Sequence, residues 1–339
     1  MRRQALARRV VLPLVLAVAA AAGLPAHAAA SIGLGAYQVS ATYALDSVAG
    51  SAGISGLEAS AVTYARDRGT LFFVGDEGTG VIEMSRTGQT LGQMSFVWSG
   101  TGSSKHDTEG LTYLGGGQLV VSEERLFDAY RFTYASGGSA PLAAASVSIS
   151  NANVGNDGLE GISVDPRDGS FVAVKQDLPE DILAGSLSFA ANSGGTSAMS
   201  TLFDPARLGL ATLSDVQTLA SLAALAGTAA ADHLLLLSLG SRRLVEVDRQ
   251  GNLVSSLDLG NVLPHNGIEG VTVDENGTIY LVAEQIQDGS NLPGDPAPRS
   301  QLIVLTSPVP EPVSSALLLC GLAGLGLAVR RRRRDAAHP

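Results

Sequence analysis

Apolar residues along the middle of the chain fall into short runs that share one phase. Leu71-Phe72-Phe73-Val74, Leu119-Val120-Val121, Phe171-Val172-Ala173-Val174, Leu234 to Leu237 and Ile279 to Val282 are each too short for a helix. Runs of this length, bounded by turn residues, predict strands buried on both faces. Most follow a shorter alternating run, such as Gly161-Ile162-Ser163-Val164 or Gly270-Val271-Thr272-Val273. Between the two lies a turn: Arg66-Asp67-Arg68-Gly69, Leu114-Gly115-Gly116-Gly117, Asp165 to Gly169, or Asp274-Glu275-Asn276-Gly277. Glycine there supplies the positive φ that a hairpin needs, and Asp or Asn supports it with side-chain bonds. Third and fourth strands are visible in two copies, Val81 to Met84 with Gln93 to Phe96 and Leu244 to Val247 with Leu253 to Leu259.

A glutamate marks the period. Gly56-Leu57-Glu58-Ala59 returns as Thr108-Glu109-Gly110-Leu111, Gly158-Leu159-Glu160-Gly161 and Gly267-Ile268-Glu269-Gly270, at spacings of 51, 51 and 109 residues. A degenerate copy near Leu213-Ser214-Asp215-Val216 fits inside the last gap. Four antiparallel strands per repeat of about fifty residues is the design of a propeller blade. The chain is therefore expected to be all-β, a five-bladed β-propeller, with six blades as the alternative count. The last copy shows three strands, so the strand-like Tyr37 to Leu45 is expected to supply its fourth and close the ring. A pair of β-sandwiches would not explain a shared phase. Small helices are expected only in the Ala- and Leu-rich insertion from Leu213 to Ala231.

The two ends read as addresses rather than fold. Arg2, Arg3, Arg8 and Arg9 precede an apolar run from Val10 to Leu24 and the small-x-small pattern Ala26-His27-Ala28, which predicts a secretory signal peptide over 1–30. At the other end Val309-Pro310-Glu311-Pro312 leads into an uncharged Val313 to Val329 and then Arg330 to Arg334. Seventeen uncharged, mostly apolar residues are at the lower limit for a transmembrane helix, and the arginines would stay on the cytoplasmic side. The expected organisation is thus a signal peptide (1–30), a propeller (31–308) and a sorting or transmembrane tail (309–339), in a protein exported through the Sec pathway to the cell envelope.

Without its ends the body carries 13 basic against 30 acidic residues, a net charge of −17. That balance argues against nucleic acid as a partner and is compatible with divalent cations. The single cysteine, Cys320, lies in the tail, so the body has no disulfide.

Inner strands of a propeller line its channel, so equivalent positions converge. Glu58, Glu109, Glu160 and Glu269 are expected to form a ring of carboxylates. A second column, Asp76, Glu123, Gln176, Ser238 and Glu284, follows the buried strands, with Glu77, Glu124, Asp177 and Gln285 beside it. Two carboxylates ~5 Å apart at an effective dielectric of ~20 repel by roughly 3 kcal/mol. Such a ring must protonate, find amide donors or hold a cation. Calcium, which takes hard oxygen ligands in flexible geometry, suits it. The metal-site candidates are accordingly Glu58, Glu109, Glu160, Glu269, Asp76, Glu123 and Glu284, and the bland alternative is that these acids cap backbone amides. Zinc is disfavoured, since His106, His233 and His265 have no ligand spacing.

Other motifs add less. Gly75-Asp76-Glu77-Gly78-Thr79-Gly80 has the glycines of a phosphate loop but no lysine, and reads as a turn. His106 and His265 each precede a repeat glutamate by three or four residues, where an imidazole beside a metal-bound water could support hydrolysis. Trp98 and Tyr113 fit either a ligand wall or the core.

Ser55-Gly56-Leu57-Glu58 leading to Val74-Gly75-Asp76-Glu77-Gly78-Thr79, then Asp107 to Tyr113, Val121-Ser122-Glu123-Glu124-Arg125 and Gly158 to Ile162, resemble the SdiA-regulated (YjiK-like) propellers. The resemblance covers roughly Tyr37 to Thr306 and implies five blades, a bound calcium ion and no established catalytic activity. The fourth blade departs from it, lacking the glutamate. The Pro-Glu-Pro tail resembles the PEP-CTERM sorting signal, which implies processing by an exosortase in the membrane. Two functions remain open: a non-catalytic, calcium-stabilised propeller meeting a protein or glycan, or a metal-dependent hydrolase of a lactone, ester or phosphoester.

Overall fold

The computed structural model describes residues 31–45, 54, 58–150, 155–177, 179–285 and 300–307. The first strand, β1 (Gln38–Ala44), belongs to the last blade. Blade 1 holds β2 (Ala59–Ala65), β3 (Thr70–Gly75), β4 (Gly80–Met84) and β5 (Thr90–Val97). Blade 2 holds β6 (Thr108–Gly115), β7 (Gln118–Glu123), β8 (Asp128–Thr133) and, at its edge, β10 (Ser146–Ser148). Between β8 and β10 the chain sends β9 (Ser139–Pro141) back to blade 1, where it pairs in parallel with β5 as a fifth strand. Blade 3 is β11 (Leu159–Val164), β12 (Phe171–Lys175), β13 (Asp181–Ser188) and β14 (Thr196–Thr201). Blade 4 is β15 (Asp215–Thr218), β16 (Leu234–Ser238), β17 (Arg243–Val247) and β18 (Leu253–Asp258). Blade 5 is β19 (Ile268–Val273), β20 (Ile279–Ala283), β21 (Gln301–Thr306) and β1, which pairs antiparallel with β21. This is the five-bladed propeller expected from the repeat, closed by its N-terminal strand.

The second strand of every blade is apolar throughout because its two faces meet different neighbours. Phe72 and Val74 of β3 pack toward blade 2, whereas Leu71 and Phe73 pack toward blade 5. In β16, Leu234 and Leu236 face blade 3 while Leu235 and Leu237 face blade 5. The core is therefore five radial seams, one between each pair of blades.

The five inner strands, β2, β6, β11, β15 and β19, touch one another in a closed circle. The approach is at backbone distance: a Cβ on Gly161 would sit 2.6 Å from Asp215 Cα, and one on Gly110 2.9 Å from the Glu160 carbonyl oxygen. A ring of side-chain bonds ties them together. Thr63 Oγ1 accepts the Tyr113 N–H (3.1 Å), Thr112 Oγ1 the Val164 N–H (3.0 Å) and Ser163 Oγ the Thr218 N–H (3.0 Å). Thr272 Oγ1 donates to Gln217 Oε1 (3.0 Å) and accepts the Tyr64 N–H (3.1 Å), which completes the circle.

The helices expected only within Leu213 to Ala231 are 3₁₀ turns, Ala223–Leu225 and Ala229–Asp232, and the same stretch contains β15. Further 3₁₀ turns occur at Leu34–Ala36, Leu142–Ala144 and Pro205–Leu208, where a single tight bend suffices. The signal peptide, the sorting tail and its expected transmembrane helix lie outside the described residues. Among the described residues no helix is long and apolar enough to cross a membrane.

Thr272 gives the ring its test. Thr272→Val keeps the shape but removes the acceptor of a buried amide, a loss of about 1–3 kcal/mol. Urea denaturation should show that loss, and Thr272→Ser should recover most of it.

Candidate functional site

Four of the five inner strands carry a one-residue bulge as they enter the channel, at Ser60, Glu109, Glu160 and Glu269. A bulge leaves its residue out of the ladder and re-aims its side chain. The repeat glutamates of blades 2, 3 and 5 are therefore equivalent, but Glu58 is not their counterpart. Backbone bonds from Asp76 N to Glu58 O (3.1 Å), Glu124 N to Asp107 O (2.9 Å), Gln176 N to Gly158 O (3.0 Å) and Glu284 N to Gly267 O (2.8 Å) set the true alignment. Glu58 matches Asp107, and Asp76 matches Glu124, Gln176 and Glu284. The motif in blade 1 is displaced by two residues, with Ser60-Ala61 where the other blades have Glu-Gly.

The acids nevertheless converge on one mouth of the channel. Carboxylate oxygens of Glu58, Asp76 and Glu77 lie within 4.8 Å of one another, and so do those of Asp76, Asp107 and Glu109. Asp76 is the shared member, and its Oδ1 is buried with no hydrogen-bond partner among the described residues. Burial, then the proximity of Glu58, Glu77 and Asp107, pushes its carboxyl up to about 8.

Further round the ring Glu160 and Glu124 adjoin each other, as do Glu269 and Glu284. Burial followed by Glu160 and Glu269 holds Glu109 well above the usual carboxylate range. Glu160 is raised likewise by burial, Glu124 and Glu269, and Glu269 by burial, Glu284 and Asp76. Glu124 is pushed up to about 7 by burial and Asp107, and Glu284 to about 7 by burial and Glu58. The Arg125 guanidinium opposes this field, with its Nε 2.7 Å from Asp107 Oδ2.

Other candidates sit elsewhere. Glu123 is turned between two loops, where Oε1 accepts from Ser103 Oγ (2.7 Å) of the loop before β6 and Oε2 from the Leu126 N–H (2.7 Å) of the turn after β7. Its neighbour Glu124 holds the position beside the ring. Ser238 Oγ accepts the Ser241 N–H in a turn (3.1 Å). Blade 4 adds no axial carboxylate. Counted back from the Gln217 link of the hydroxyl ring, Asp215 stands where Gly110, Gly161 and Gly270 stand. Its two oxygens accept the Val216 and Val271 N–H groups, both at 2.7 Å, so it fastens blade 4 to blade 5.

The stretch from Gly75 to Gly80 is a turn, closed by Gly78 N to Gly75 O (3.1 Å). Beside it an open groove of about 790 Å³ runs from Glu77 past Trp98 to His106. The His106 ring stacks on Trp98 at 4.9 Å, and Trp98 Nε1 donates to Gly78 O (2.6 Å). His265 lies on the approach to β19, half-buried. Asp107 was absent from the sequence candidates although it sits in the quoted motif. Aligning blades on the small residue that lets strands touch, rather than on the glutamate, would have found it.

A Myxococcus xanthus glutaminyl cyclase superposes with a TM-score of 0.50 at 10% identity, over 80% of this chain and 95% of that one. A luciferin-regenerating enzyme superposes with a TM-score of 0.44 at 12% identity, over 78% and 95%. At such identity the likeness to the cyclase is one of fold. The sequence comparison goes further, because residues 36–285, the greater part of the propeller, match a single family. The chain belongs to the SdiA-regulated family.

Proposed function

We propose that Glu58, Asp76, Glu77, Asp107 and Glu109 hold a calcium ion at the channel mouth, in an exported, envelope-associated propeller that works as a non-catalytic binding or structural module. The observation that carries this is the pair of carboxylate triads meeting at Asp76, with oxygens within 4.8 Å of one another. Calcium–oxygen distances of about 2.3–2.6 Å place ligand oxygens up to about 5 Å apart, so the spacing fits. The donors are all hard oxygens, and Asp76 Oδ1 is buried without a hydrogen-bond partner among the described residues. Bound calcium would neutralise the repulsion and tie blade 1 to blade 2. The leader, the Pro-Glu-Pro tail and a body of net charge −17 support export and envelope attachment, with an exosortase acting on the tail.

The groove from Glu77 to His106 favours a second reading, hydrolysis of a lactone, ester or phosphoester next to the ion. There the cation would supply Lewis acidity and the imidazole would take a proton from water. Calcium-dependent turnover of an ester and phosphoester panel, lost in His106→Ala, would establish it over the non-catalytic reading.

Calcium should raise the melting temperature of EGTA-treated protein, since ligand at a hundredfold excess over Kd stabilises by about 2.7 kcal/mol. Asp76→Asn should weaken that response at least tenfold, whereas Glu123→Gln should leave it intact. An unchanged melting temperature across calcium concentrations would remove the proposal.

The pH dependence has a definite sign. Asp76, Glu124 and Glu284 have raised carboxyls, at about 8, 7 and 7, against ordinary values near 4. Between these limits the folded, metal-free chain binds more protons than the unfolded one, so its stability falls as pH rises. Thermal melts in EGTA should show that decline from about pH 4 to about pH 8. The gain from added calcium should grow over the same interval.

A further inference from the structure

The channel has a second mouth, at the C-terminal ends of the inner strands. A cavity of about 300 Å³ opens there, and all five strands reach it, through Thr63, Thr112, Val164, Gln217 and Thr272. Thr112, Val164 and Thr272 stand three or four residues beyond Glu109, Glu160 and Glu269, so at ~3.3 Å per residue the cavity begins roughly 10–13 Å along the strands from the acid mouth.

The polar groups of the cavity can be accounted for one by one. Thr272 is committed twice, as donor to Gln217 and acceptor from Tyr64 N. Gln217 Nε2 donates to the Thr218 carbonyl (2.8 Å), and Thr218 Oγ1 donates to the Val164 carbonyl (2.9 Å). Asp67, the acid of the rim, accepts from Gly116 N (3.0 Å) and from the Tyr113 hydroxyl, which holds its carboxyl below the usual range. The Thr63 and Thr112 hydroxyls each accept one amide, and their protons meet no acceptor among the described residues. Arg66 stretches across the mouth from blade 1 to blade 4, where one Nη donates to the Ser221 carbonyl (3.3 Å), and its remaining N–H groups are uncommitted. The groups left over are the Thr63 and Thr112 hydroxyl protons, the cationic Arg66 N–H groups and the Ser221 hydroxyl, set in walls of Val164, Val273, Leu114 and Pro166.

We propose that this cavity binds a small cyclic or aromatic carboxylate that carries a second acceptor oxygen. The ring lies between the apolar walls. The carboxylate meets Arg66 at the mouth, and the second oxygen accepts from Thr63 and Thr112 inside. A cavity of about 300 Å³ is at the small end for ligand sites, which limits the guest to one ring with short substituents. The site is separate from the calcium proposal and does not need it.

The probe is 4-methoxybenzoate, with 4-methoxybenzamide as its neutral counterpart and 4-ethylbenzoate lacking the second oxygen, titrated by calorimetry into the intact propeller. The expected result is saturable binding of the methoxy acid, weakened about tenfold in either analogue, since each lost contact is worth about 1.4 kcal/mol. Arg66→Gln, on an exposed side chain, should bring the acid to the level of the amide. Val164→Phe should fill the cavity and abolish binding, while Asp76→Asn and EGTA should leave it unchanged. Failure of the wild type to bind the acid would overturn the proposal, as would equal binding of acid and amide or indifference to Arg66→Gln.

Discussion

Backbone-to-backbone contact between neighbouring inner strands is the constraint from which the rest of this propeller follows. Five strands around one axis leave no room for side chains between them, so Gly110, Gly161 and Gly270 occupy the points of contact. The bulge just before each glycine lets a long residue leave the ladder, and in three blades that residue is a glutamate. Close strands also bring a main-chain N–H within reach of the preceding blade's hydroxyl at four of the five junctions, and Thr272 bonded to Gln217 makes the fifth link of the ring. One steric requirement thus generates the acid mouth and the hydroxyl girdle together.

Blade 4 shows how the constraint can be met otherwise. It lacks the bulge and the glycine, and Asp215 fills the contact point with a carboxylate. Burial raises that carboxyl well above its usual range, while two main-chain donors pull it back. The side chain that elsewhere faces the channel is here replaced by a link within the wall. The acid mouth is accordingly lopsided: both close carboxylate triads come from blades 1 and 2.

The fold was legible because the middle strands obey a rule that one sequence displays: apolar on both faces, with glycine turns every fifty residues or so. The closing role of β1 followed from counting three strands in the last repeat. What escaped was polar. The hairpin of β13 and β14 is rich in Ser, Ala, Gly and Thr on an outer, half-exposed edge, and its few apolar residues, Ile182, Leu183, Leu187 and Met199, follow no regular period. β9 crosses back to a blade already complete, which no periodicity encodes. At the site the convergence was legible, but the alignment of Glu58 with Glu109 was not secure, because blade 1 keeps a small residue, Ala61, at the contact point and has Ser60 where blades 2, 3 and 5 have glutamate. Glu123 and Glu124 are adjacent in sequence, and only the pairing of Thr108 with Glu123 separates a loop cap from a carboxylate at the axis.

The partners β1 and β21 stand at opposite ends of the polypeptide, Gln38 against Thr306. During synthesis the first of them leaves the ribosome while the second is still unmade, so its hydrogen-bonding edges wait for the whole barrel of blades to be translated. Ser31 and Ile32 offer an intermediate mooring, since both reach Glu246 on β17 of blade 4, which is made before β18, β19, β20 and the final partner β21. Closure is therefore the last event by geometry. A chain that stops short of β21 has a ring with an open seam, whose bare strand edges invite pairing with another molecule.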